Sequence, residues 1–221
     1  MKDTVLAEIT VLLEQQPLLA ISEVNKGIKI KGNYKICFQI ENEIFEDYFA
    51  LEISIPDSFP DDIPTVRTTD RKIHADNYKG HVYPDGQFCL ELDTVIVAFL
   101  QYNHNLLSFL TRFLDTYLCG FLYYQEHNCM PFGEHKHGVL GLMDYYCELF
   151  EITDINIAYL LLTCVFKENL KGHIQCPCQS GKRYRDCHRK TIDELKENEL
   201  FERYKDDFIT ITTELSRKSK R

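Results

Sequence analysis

Lys79–Leu92, KGHVYPDGQFCLEL, is the stretch on which the fold of this 221-residue chain turns. Tyr83-Pro84-Asp85-Gly86 has turn chemistry, because proline pre-sets φ at the second position and glycine accepts left-handed backbone. Cys89 lies three residues beyond that turn, and His81 lies eight residues before the cysteine. A thiol presented by a turn, with a hydrogen-bonding side chain folding back toward it, is how a nucleophilic thiolate is exposed and managed.

Upstream of this stretch the pattern predicts short sequential strands. Thr4 to Gln15 carries Val5, Ile9, Leu12 and Leu13 at helical spacing behind Asp3, and Pro17 ends that helix. Leu18 to Val24, Gly27 to Ile30, Tyr34 to Ile40 and Phe49 to Ile55 then read as strands. Asn25-Lys26-Gly27 and Gly32-Asn33 serve as turns between them. Strands joined by tight turns make an antiparallel meander. Ile53–Val66, ISIPDSFPDDIPTV, places three prolines within nine residues, a rigid extended crossing, and Thr65 to Thr68 reads as a further, short strand.

Downstream, Val95 to Phe99 is apolar and Leu106 to Tyr124 reads as a long buried helix lying on one sheet face. A polar loop, Pro131 to Gly138, precedes helices expected at Val139 to Phe150, at Ile155 to Asn169 behind a Thr153-Asp154 cap, and at Thr191 to about Tyr204. The change of character falls near Glu151, which divides the chain into 1–150 and 151–221. The expected class is α+β, a four-stranded antiparallel meander flanked by helices with a small helical C-terminal region.

Composition narrows the function. A net charge of −9 argues against generic nucleic-acid binding, which needs a basic face to release counterions. The basic tail Arg217 to Arg221 reads as a solvated end. The longest apolar run, Ile155 to Phe166, is too short to cross a bilayer, so no membrane role is expected. Nine cysteines without a secretion signal at the N-terminus point to a reduced, cytoplasmic setting, with thiols kept for metal or chemistry. Cys37, Cys119, Cys129, Cys147 and Cys164 lie among apolar residues and are expected to be buried and inert.

The order of helix, meander, proline-rich crossing, turn-borne cysteine and long helix resembles the ubiquitin-conjugating enzyme (UBC) fold over residues 1–150. Val82–Leu90, VYPDGQFCL, follows that family's V-Y-P-x-G-x-x-C-L run closely. The resemblance implies that Cys89 carries the C-terminal carboxyl of a modifier protein as a thioester and passes it to a lysine. A tetrahedral oxyanion forms in such a transfer and needs a donor. In the family that donor is the asparagine of an H-P-N triplet; here the triplet reads Lys79-Gly80-His81. Histidine can donate to the oxyanion, and it could assist lysine deprotonation or, as imidazolium, lower the pKa of Cys89; in an inactive site it would only brace the loop. A rival alignment uses His74 to Asn77, at a longer spacing. Glu134 and His137, in the loop after the long helix, are the candidates on the acceptor-lysine side.

A second constellation is Cys176–His188, CPCQSGKRYRDCH. Cys176, Cys178, Cys187 and His188 offer three thiolates and an imidazole, a closed tetrahedral set for structural zinc, with Ser180-Gly181 turning the chain between the halves. The stretch is close to the SEC-C motif CPCGSGKKYKxCH and departs mainly by Gln179 in place of a glycine; the knuckle is placed at 174–190. Lys182, Arg183 and Arg185 would face a partner's acidic patch or simply solvent.

Two functions follow. In one, the chain resembles the conjugating-enzyme homologues of prokaryotic antiphage systems of the CBASS type, with the C-terminus of a cGAS-like nucleotidyltransferase as acyl donor and a homodimer left open. In the other, it is an inactive UBC-fold interaction module with a structural zinc knuckle. A cysteine hydrolase using Cys89 and His81 is a weaker third, because no third orienting residue is evident.

Overall fold

The computed structural model describes residues 2–25, 27–78, 81–131, 136, 138–167 and 170–218. The chain divides into two compact units, 1–134 and 135–221. The division falls before the expected boundary at 150/151, because helix Gly138–Leu149 packs on the helices that follow it in sequence.

In the first unit, α1 (Lys2–Gln15) precedes a four-stranded antiparallel sheet in sequential order: β1 (Leu19–Asn25), β2 (Gly27–Ile40), β3 (Glu43–Ile55) and β4 (Thr65–Thr68). α1 buries Ile9 and Leu12 on the expected stripe. The meander is therefore as expected, with two corrections. β3 begins at Glu43 rather than Phe49, since Glu43 to Tyr48 pair with Ile40 to Lys35 of β2. Gly32-Asn33 is not a turn: β2 runs through it, pairing Gly32 with Leu19 on one side and Leu51 on the other. Glycine permits this because a Cβ there would meet the Leu18 carbonyl oxygen at 2.0 Å, and the backbone sits at φ 144°.

Strict alternation then sorts the two sheet faces. Ile30, Tyr34, Ile36, Phe49, Leu51 and Ile53 turn inward and are buried. Each contributes about 1.5–3 kcal/mol relative to an exposed side chain. The other face carries cross-strand pairs such as Lys31–Glu52 at 2.6 Å and Lys35–Glu46 at 2.6 Å. These solvated pairs set register more than they stabilise.

The proline-rich crossing leads through β4 to α2 (Asp93–Tyr102) and then to a long helix over 106–127, α3. α3 is not uniform: Leu110–Asp115 winds as a π-helix between α-helical ends. Asn105 caps its start by accepting from Ser108 N at 2.8 Å, and Glu8 of α1 accepts from Leu106 N at 2.6 Å. Phe121 meets Phe49 edge-on at 5.9 Å, so α3 lies on the apolar sheet face as its pattern required.

The second unit is helical. α4 (Gly138–Leu149) and α5 (Ile155–Val165) are followed by the cysteine-rich turn, α6 (Arg189–Glu197) and α7 (Phe201–Lys218). Asp154 caps α5, its carboxylate accepting from Asn156 N and Ile157 N. The single charged helix expected from Thr191 to Tyr204 is instead two. Asn198 leaves helical geometry, and its side-chain oxygen accepts from Leu200 N at 2.8 Å, an Asx turn that starts α7 anew. Among the described residues, no helix is long and apolar enough to cross a membrane.

Candidate functional site

In the first unit, Val82 and Phe88 face each other across a tight antiparallel bridge closed by the 83–86 turn. Gly86 N donates to Tyr83 O at 2.9 Å with Gly86 at φ 83°, and Tyr83 N donates to Gln87 O at 2.8 Å. The hairpin is fastened to β4: Phe88 N donates to Val66 O at 2.9 Å, Thr68 N to Gly86 O at 3.1 Å, and Asp85 pairs with Arg67 at 2.9 Å. Val82 and Phe88 are buried. Tyr83 is exposed, and His81, Gln87 and Cys89 are half-buried.

Cys89 is half-buried there, and its N–H donates to His81 O at 2.8 Å. That carbonyl also accepts from the Tyr117 hydroxyl of α3 at 2.8 Å, which ties the cysteine's partner strand to the long helix. The His81 ring stacks on Tyr78 with centroids 4.4 Å apart, and Tyr117 meets it edge-on. His81 is thus backbone neighbour to Cys89, while its imidazole is engaged with aromatic rings.

The electrostatics differ from expectation. The Cys89 thiol is pushed above its ordinary value, chiefly by burial, with Glu91 and Asp93 adding to the shift. A hydrogen bond from Tyr83 Oη to Cys89 Sγ, at 3.7 Å, opposes it. That bond and burial together push the Tyr83 phenol up to about 12. A thiol lowered by an imidazolium is not what this environment produces. Tyr83 was not singled out by sequence; its place six residues before Cys89, across the hairpin, was the available signal.

Other candidates scatter. In the rival His74–Asn77 pair, Asn77 is used locally, accepting from His74 N at 2.8 Å and donating to Lys72 O at 2.7 Å. Glu134 and His137 lie outside the described residues, as do Lys26, Lys79, Gly80 and tail residues 219–221. Of the thiols expected to be buried, Cys119 and Cys164 are, Cys147 is intermediate, and Cys37 and Cys129 are exposed. Cys37 sits on the solvent side of β2, and Cys129 follows the end of α3, so neighbouring apolar letters did not mean burial.

In the second unit, Cys176, Cys178, Cys187 and His188 converge, with their ligand atoms all within 4.8 Å of one another. Two short segments make this happen. Gln175 bridges Arg183, and Cys176 N donates to Lys182 O at 2.9 Å, closing a miniature hairpin. At its tip Gln179 and Gly181 both take left-handed backbone, φ 63° and 76°. A short 3-10 turn, Tyr184–Asp186, anchored by buried Tyr184, then brings Cys187 and His188 back at the start of α6.

The donor set fits a metal. Cys178 Sγ lies 3.5 Å from Cys187 Sγ, and His188 Nδ1 lies 3.3 and 3.2 Å from Cys176 and Cys187 Sγ. A tetrahedral ion with metal–sulfur bonds of about 2.3 Å has sulfur–sulfur edges of about 3.8 Å, so slight expansion accommodates one. His188 Nε2 lies 2.9 Å from Phe150 O, which fixes that nitrogen as the donor and leaves Nδ1 as the ligand. Ser180 Oγ is 3.1 Å from Cys178 Sγ, and it was read from sequence only as part of the turn. Burial raises Cys178, but bonds to Ser180 and the neighbouring thiols outweigh it and leave the group lowered; burial raises Cys176. With four protein ligands the sphere is closed, so a bound ion here would be structural, crosslinking the knuckle to the start of α6.

The family model for the SEC-C motif matches residues 175–190, the segment that carries these four ligands. No curated protein and no solved structure matches the chain. The comparison and the geometry together show a SEC-C motif whose three cysteines and one histidine are arranged so that they could hold a metal ion.

Proposed function

We propose that the chain is a UBC-like acyltransferase. In this reading Cys89 accepts the C-terminal carboxyl of a modifier protein as a thioester and delivers it to a lysine. The observation that carries the proposal is the Val82–Leu90 run. Its sequence resembles the conjugating-enzyme active-site motif, and its hairpin holds a half-buried Cys89 between a sequential four-stranded meander and a long helix. A thiol suits the task, since a thioester is stable enough to carry and reactive enough for aminolysis.

The donor proposed is the C-terminus of a cGAS-like nucleotidyltransferase, in CBASS-type antiviral defence in the cytoplasm. The knuckle ion proposed is zinc, holding the second unit together and presenting Lys182, Arg183 and Arg185 to a protein partner. Incubating the full chain with such a nucleotidyltransferase and its activating enzyme, then measuring intact mass, tests this. An adduct is expected that thiols remove, that Cys89→Ala abolishes and that Cys89→Ser retains as a stable ester. An adduct surviving Cys89→Ala overturns the proposal.

A second reading, an interaction module without acyl transfer, draws support from the raised Cys89 thiol and from a His81 ring stacked on Tyr78. It predicts no adduct with any acyl donor.

A further inference from the structure

Tyr83 and Cys89 are diagonal neighbours on the exposed face of a hairpin whose other face, Val82 and Phe88, is buried. Both backbones are fixed on β4 by the Phe88–Val66 and Thr68–Gly86 hydrogen bonds, and the Asp85–Arg67 pair holds the turn. The Tyr83 ring is half exposed, and its hydroxyl reaches Cys89 Sγ at 3.7 Å. Tyr83, Glu91, Asp93 and, from α3, Tyr117 act electrostatically on this sulfur. The two carboxylates disfavour negative charge at the thiol, while the Tyr83 hydroxyl supports it.

We propose that the Tyr83 hydroxyl is the hydrogen-bond donor of this site, serving the Cys89 thiolate before acyl transfer and the carbonyl oxygen during it. The proposal rests on the acyltransferase reading and assigns to Tyr83 the oxyanion role that sequence alone placed on His81. The acyl carbon is one bond from the sulfur that the hydroxyl already touches, so its oxygen comes within reach of the same O–H.

The chemistry balances with an activated thioester as donor. Cys89 thiolate attacks the acyl carbon, forming a carbon–sulfur bond as the carbonyl electron pair moves to oxygen, where Tyr83 donates. Collapse expels the donor's thiolate. A lysine amine then attacks the Cys89 thioester, forming a carbon–nitrogen bond through a second oxyanion. Collapse returns the Cys89 thiolate, and the amine proton leaves to water.

The test uses the full chain with a short peptide mercaptoethanesulfonate thioester as donor and free lysine as acceptor, followed by mass spectrometry. Tyr83→Phe keeps the ring and removes only the hydroxyl. It is expected to slow discharge of the Cys89 adduct to lysine by about ten- to a hundredfold. It should also move the pH midpoint of Cys89 alkylation by iodoacetamide upward, slowing the reaction at pH 8 by about three- to tenfold. Tyr83→Ala, which also uncovers the sulfur, should instead leave alkylation as fast as wild type or faster. Wild-type discharge and an unmoved midpoint in Tyr83→Phe overturn the proposal. A wild-type chain that takes up no acyl group overturns the acyltransferase reading and the transfer step with it. In that case the alkylation midpoint still decides whether Tyr83 donates to the thiol.

Discussion

His188 Nε2 lies 2.9 Å from the carbonyl oxygen of Phe150, just past the end of α4, while Nδ1 of the same ring faces the Cys176 and Cys187 sulfurs. One imidazole thus links the ligand cluster to a helix end distant in sequence, and an ion held there would couple the knuckle to the helical unit around it. Elemental analysis of purified protein should find about one zinc per chain, falling below about 0.2 in Cys187→Ser. Chelation should lower the melting temperature of the second unit and broaden its transition. Stoichiometric zinc retained in Cys187→Ser would reject the site.

Gln179 stands where the SEC-C motif has glycine, and its φ of 63° shows why the motif prefers one. A side chain in left-handed backbone costs about 1 kcal/mol, which glycine avoids at a smaller entropic loss in the unfolded chain. Gln179→Gly is therefore expected to stabilise the second unit by about 0.5 kcal/mol. Zinc content should not change, since the exposed Gln179 is no ligand. Denaturant melts with metal present measure this directly, and a destabilised Gln179→Gly would contradict the backbone argument.

The parts of the fold legible in the sequence were those where one local signal decides the outcome. Strand alternation around Tyr34 and Phe49, the Asp154 cap and the 176–188 ligand spacing are of this kind. The misread parts needed tertiary knowledge. Gly32-Asn33 has turn composition, but the approach of the Leu18 carbonyl makes glycine a strand residue there. Asn198 breaks a continuous charged pattern through a side-chain bond to Leu200 N that periodicity does not register. At the candidate site, the spacing drew attention to His81 but could not tell that its ring would lie on Tyr78. Tyr83 came into view only when the hairpin brought it diagonally across.

Gly32 offers a sharp test of the sheet register. Alanine there would place a Cβ 2.0 Å from Leu18 O at a φ of 144°, with backbone on the clashing side and no flexible side chain to yield. β1 must separate from β2, or the bulge between Ile21 and Glu23 must migrate. Gly32→Ala should cost about 3 kcal/mol or more. Gly138→Ala, with nothing within 4 Å of its Cβ position, should cost about 1 kcal/mol from φ alone. Equal effects in equilibrium unfolding would mean that β1 does not pair as described.

The free thiols should react in an order set by exposure and by the direction of their shifts. Cys37 and Cys129 are exposed and should be alkylated first. Cys89 should follow more slowly at neutral pH, because burial, Glu91 and Asp93 hold its proton on and outweigh the Tyr83 hydrogen bond that works the other way. Cys119, pushed up to about 11 by burial and by Asp115, and Cys164, raised by burial, should come last. The sign of the stability effect follows from the same shifts. A thiol whose folded pKa is raised binds more protons in the folded than in the unfolded chain. Its contribution is present below the ordinary thiol value and is lost as pH rises through the folded value. Stability of the first unit should therefore decline above about pH 9. Mass spectrometry after timed alkylation between pH 7 and 10 gives the order site by site. Cys89 reacting ahead of Cys37 and Cys129 at pH 7 would show that its surroundings lower the thiol, the reverse of what burial and two nearby carboxylates do.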